Sequence, residues 1–83
     1  MKALVMYHRY GCHLCDRMLE QLRPLQERYG FDLRVVDVDA DEALVQRYDD
    51  KVPVLAGDGN ELCRYHLNEG KIVAFLKSEV KTS

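Results

Sequence analysis

The rhythm of apolar and polar positions changes several times along the chain, and each change predicts an element. Residues 3–8 (Ala-Leu-Val-Met-Tyr-His) form a nearly continuous apolar run, the pattern of a strand covered on both faces. Arg9, Tyr10 and Gly11 then make a turn. From 13 to 29 the spacing lengthens: Leu14, Met18, Leu22, Leu25 and Tyr29 draw one stripe of a helix. Pro24 lies inside that helix, removes a hydrogen bond to Glu20 and predicts a bend, and Gly30 ends it. Residues 31–38 return to a valine-rich strand pattern.

Asp39, with Glu42 three places on, predicts a capping box for a short helix carrying Leu44 and Tyr48 on one face. Val52 to Ala56 reads as a short third strand. The cluster Gly57-Asp58-Gly59-Asn60 predicts a hairpin into a fourth strand over 61–66. Asn68 caps a last helix, with Leu67 and Ile72 as a hydrophobic staple and Ile72, Phe75, Leu76 and Val80 as its buried side. The order β-α-β-α-β-β-α predicts an α/β domain with a four-stranded mixed sheet flanked by helices. Both crossovers predict right-handed parallel pairing, and the hairpin predicts an antiparallel pair.

Composition narrows the picture. At 83 residues there is room for one small domain, 1–83, with a thin core of two packed layers. A hydrophobic content of 47% with 31% charged residues reads as globular. A net charge of −2 gives no support to a nucleic-acid or anionic-membrane role. The apolar run at the start is stopped by His8 and Arg9, too soon for a signal peptide or a membrane span. A cytoplasmic protein is the expectation, where structural disulfides are rare.

Within that frame the three cysteines become informative. Cys12 and Cys15 stand at Cys-x-x-Cys spacing, and Cys63 is left over, which argues for a redox or metal pair over a disulfide scaffold. A strand that delivers such a pair to the first turn of a helix makes a reactive dithiol. The orphan N–H groups and the helix dipole favour a negative sulfur, so Cys12 is expected to ionise below the ordinary thiol value of about 8.5. Cys12 is expected to be the more exposed sulfur and Cys15 the more buried one, so that one thiolate attacks a substrate disulfide and the other resolves the mixed disulfide. Arg9, His8 and His13 supply positive charge nearby. His13 and Leu14, between the cysteines, tune the reduction potential. Asp16 reads as a surface charge favoured by the helix dipole.

Two other readings stand beside this one. Cys63 and His66 have Cys-x-x-His spacing, so four zinc or cluster ligands exist on paper. On a strand over 61–66, however, those two side chains point to opposite faces, and Cys63 reads as a small residue packed inside. The third reading is a non-catalytic interaction domain. Pro53 is the other marked position: without an N–H it must start a strand or sit at an edge, and it is the candidate for a cis bond.

Taken together, these parts resemble the thioredoxin superfamily, and its glutaredoxin-like branch most closely. The resemblance rests on the element order, on Tyr10-Gly11-Cys12-His13-Leu14-Cys15-Asp16 after the first strand, and on Val52-Pro53 opening the third. It implies a thioredoxin-like fold, a cis Pro53 opposite the cysteines, and a Val52 backbone that pairs with an extended substrate segment. It also implies a thiol–disulfide oxidoreductase in which Cys12 attacks and Cys15 resolves; the candidate substrate-binding residues are Val52, Pro53, Arg9, His13 and Leu14. Arg9 stands where glutaredoxins commonly carry lysine. The glycine pair that holds glutathione is replaced by Tyr65-His66-Leu67-Asn68-Glu69, and Lys51 precedes Val52 where threonine is usual. The expected protein is a monomer with no bound cofactor. Protein disulfides and glutathione-mixed disulfides are rival substrates, and glutathione is open as a co-substrate.

Overall fold

The computed structural model describes residues 2–78. Four strands form one sheet in the order β2-β1-β3-β4: β1 Ala3–His8, β2 Asp32–Asp37, β3 Val54–Gly57 and β4 Asn60–Arg64. Three helices accompany it: α1 His13–Tyr29, α2 Glu42–Tyr48 and α3 Glu69–Lys77. The fold is α/β with a mixed sheet, as the sequence pattern predicts. Val80, expected on the buried side of α3, lies outside the described residues.

Most of the core lies on one face of the sheet. Leu4 and Met6 of β1, Leu55 of β3, Met18 and Leu22 of α1 and Ile72 of α3 are all buried to 1% exposure or less, in one packed cluster. Gly57, paired with Leu4, lets α3 close on this face, because a Cβ there would stand 2.5 Å from the Phe75 ring. α2 covers the opposite face, where Tyr48 stacks on Tyr7 with ring centroids 4.5 Å apart. No residue of α2 is buried.

α1 runs unbroken through Pro24 and ends at Gly30, whose positive φ of 69° lets its N–H reach the Gln26 carbonyl at 2.8 Å. The β3–β4 turn is the expected hairpin: Asp58 and Gly59 both take positive φ, which matches the right-handed strand twist.

Four local expectations are corrected. The second crossover does not give a parallel strand: β1 and β2 are parallel, but β3 runs antiparallel to β1. A seven-residue helix spans only about 10 Å, half the length of a six-residue strand. The chain re-enters the sheet at the end it left. The capping box at Asp39 is also absent. A 3-10 turn over Val38–Ala40, capped by Asp37, takes up those residues. The N-cap of α2 moves to Asp41, whose carboxylate accepts the Ala43 N–H at 2.9 Å. The third strand begins at Val54, after the proline that offers the ladder no N–H. β4 stops at Arg64 because Tyr65 turns to φ 69°, out of extended backbone.

Candidate functional site

β1 ends at His8, and the turn at Tyr10-Gly11 brings the chain to α1. Gly11 has φ 82°, a conformation that a side chain would strain. Cys12 follows as the N-cap of α1, with extended backbone (φ −97°, ψ 108°). Its sulfur accepts the Cys15 N–H at 3.1 Å, the bond that Ser or Asp makes at other helix starts. Cys15 lies one turn in, 1% exposed and packed in the core, while Cys12 is half-buried. The Cα atoms are 5.2 Å apart and the sulfurs are at disulfide distance. One sulfur thus sits at an amide-rich helix tip near solvent, and the other is directly behind it.

Val52 and Pro53 lie at the same end of the sheet, because Val54 pairs with Tyr7 and β3 starts where β1 finishes. Both are buried, and the peptide bond between them is cis. The Pro53 carbonyl accepts the Tyr65 N–H at 2.8 Å, which ties this edge to the start of the β4–α3 connection. His13 is exposed in the first turn of α1, and Leu14 is half-buried. Tyr10, 79% exposed, packs edge-on to His8. A hollow of about 320 Å³ opens beside the pair, lined by Cys15, Met6, His8, Tyr10 and Leu19 among others.

Arg9 borders the same hollow, and its guanidinium is held by two aspartates. Its Nε and Nη2 donate to the Asp39 carboxylate at 2.9–3.2 Å, and its Nη1 donates to the Asp49 carbonyl at 3.0 Å. The bond to Asp39 holds the guanidinium pKa above its ordinary value. Sequence reasoning missed both partners, which lie 30 and 40 residues away.

The four ligands drawn on paper for a metal are not gathered. His66 lies beyond the end of β4, so the argument from opposite strand faces no longer applies. Even so, among the described residues no three His, Cys, Asp or Glu side chains come together to hold an ion. Cys63 is half-buried opposite Leu55, and burial pushes its thiol pKa up. No helix among the described residues is long and apolar enough to cross a membrane.

Comparison with known proteins agrees with this geometry. The model of the glutaredoxin-like domain family (DUF836) matches residues 3–77. An uncharacterized protein of Mycobacterium tuberculosis is 34% identical over 71 residues, 80% of this chain and 73% of its own length. A Nitrosomonas europaea protein solved by NMR is 44% identical, with a TM-score of 0.83 over 92% of both chains. Thioredoxin 1 of Thermosipho africanus is similar in fold alone, with a TM-score of 0.62 at 19% identity, over 90% of this chain and 94% of its own.

Proposed function

The chain belongs to the glutaredoxin-like domain family (DUF836), and on that footing we propose that it is a thiol–disulfide oxidoreductase working through Cys12 and Cys15. One observation carries the reading: the Cys12 sulfur caps α1 by accepting the Cys15 N–H, with the Cys15 sulfur within bonding reach behind it. In the reduced protein that N–H and the helix dipole favour the Cys12 thiolate.

The thiolate attacks one sulfur of a substrate disulfide. A Cys12–substrate disulfide forms, and the other substrate sulfur leaves as a thiolate that takes a proton from water. Cys15 then gives up its proton and attacks the Cys12 sulfur. The Cys12–Cys15 bond forms, and the second substrate thiol is released. Two electrons pass from the protein to the substrate, and an external thiol reductant restores the dithiol. The sulfur pair carries both electrons, so the cycle needs no bound cofactor. Val52 supplies backbone for strand-like pairing with an extended substrate segment, Pro53 walls the site, and His13 and Leu14 border the attacking sulfur. The substrate is a protein disulfide or a glutathione-mixed disulfide, and the compartment is the reducing cytoplasm.

The test is turnover. Catalytic amounts of the reduced protein, with a thiol reductant, should speed reduction of a protein disulfide or a glutathione-mixed disulfide above the rate of the reductant alone. Cys12→Ser should abolish the gain, and Cys15→Ser should accumulate a mixed disulfide on Cys12, seen by mass spectrometry. Full turnover by Cys12→Ser, or none by the native chain with either substrate, rejects the reading.

A further inference from the structure

We propose that Arg9 is a positioning residue: anchored by Asp39, its guanidinium holds the Asp49 carbonyl and so sets where the Val52-Pro53 edge stands relative to Cys12. The inference rests on the reading of Cys12 and Cys15 as the exchange site.

Arg9 lies three residues before Cys12, on the arm that carries the sulfurs. Asp49 lies three residues before Val52, on the arm that carries the cis proline. One side chain joins the two arms. The Asp39 carboxylate takes the Nε and Nη2 side of the guanidinium as a fork, which fixes its plane and aims Nη1 at the Asp49 carbonyl. Lysine, with one nitrogen, cannot reproduce this geometry.

The carbonyl that it holds is a sensitive point. Asp49 has φ 25° and ψ −101°, a backbone conformation that a residue with a Cβ adopts only when its surroundings impose it. Those surroundings are the Asp49 N–H on the Val45 carbonyl at 2.7 Å, the Lys51 N–H on the Tyr48 carbonyl at 2.5 Å, and Arg9 itself. The peptide that Arg9 orients therefore belongs to the turn that feeds Val52 and Pro53 into the site. A purely electrostatic effect of Arg9 on Cys12 is disfavoured, because Asp39 and Asp49 both contact the guanidinium and offset its field.

Wild type, Arg9→Lys, Arg9→Gln and Asp39→Asn separate the roles. Positioning predicts that KM for a protein disulfide rises about tenfold in all three variants with kcat little changed, since small displacements of a binding element cost that much or more. It also predicts that the pH profile of Cys12 alkylation stays in place in all three. Amide exchange at Lys51 and Tyr65 quickens while Leu22, in the core, keeps its protection, which separates a loosened loop from general destabilisation. The double variant Arg9→Lys/Asp39→Asn is no worse than either single one, because both break one contact chain. The proposal is overturned if KM and exchange at Lys51 and Tyr65 are unchanged, or if Arg9→Gln moves the alkylation profile while Arg9→Lys does not, which is the signature of charge. Should the native chain reduce no disulfide, the oxidoreductase reading falls by itself, and the exchange data still decide whether Arg9 holds the loop.

Discussion

Cys63 and Cys12 are both thiols in the reduced protein, yet they stand in different surroundings. Cys12 caps a helix; Cys63 stands on β4, half-buried against the core, with its thiol pKa raised chiefly by loss of solvent. At neutral pH, iodoacetamide should therefore label Cys12 first and Cys63 last, read from peptide masses over time. Faster labelling of Cys63 would contradict this. A stability effect follows with a definite sign. Because the folded pKa of Cys63 lies above its unfolded value, its contribution is whole below about pH 8.5, where the unfolded thiol begins to ionise, and is lost as pH rises through the folded value. Urea unfolding between pH 7 and pH 10 should show a smaller alkaline loss in Cys63→Ala than in the native chain. Much at this scale is legible in the sequence. Spacing and flanking pattern alone single out Cys12, Cys15 and Pro53. The partners of Arg9 are not legible, because Asp37, Asp39 and Asp41 all stand within five residues and any of them has the side chain to cap a helix. Only the 3-10 turn, which no local signal announces, leaves Asp39 to the arginine.

Elements follow from local pattern where their ends carry strong signals, and drift where two signals compete. β1 and α1 have the predicted bounds because an apolar run, a glycine turn and a Gly30 stop agree. α2 starts later than the capping-box pattern suggests, since Asp41 and not Asp39 receives the orphan N–H. Replacing Asp41 by Ala should weaken α2 by about 1 kcal/mol, the usual value of such a cap, and speed exchange of the amides near Ala43 about fivefold. The Asp39→Ala variant should leave those amides alone. An equal effect from both would return the cap to Asp39. The antiparallel β3 was hidden for another reason: strand direction depends on how far a crossover reaches. That is a question of helix length against sheet length, not of any residue's preference.

The whole molecule is lopsided, and that bears on function. α1 and α3 bury a continuous core against one sheet face, whereas α2, the turn after it and the Arg9 contacts lie on thinly covered ground. Sequence periodicity reveals the α1 stripe, but it cannot say that the second layer is weak, because Leu44 and Tyr48 look as apolar as the residues of α1. Burial separates them. Leu22, fully buried, should cost about 2–5 kcal/mol when cut to alanine, a large part of the ~5–15 kcal/mol that holds a small domain. Regions with few buried contacts open at lower free energy than the core, so the α2 layer should open on its own. Native-state amide exchange in low denaturant tests both points. In Leu22→Ala, protection at Met18 and Leu25 should fall by the full loss of global stability, while that at Val45 and Tyr48 stays near its native value. A parallel fall at all four positions would mean that the two layers open as one unit. A site carried partly on the weaker layer would then have no independent freedom to yield around an incoming substrate.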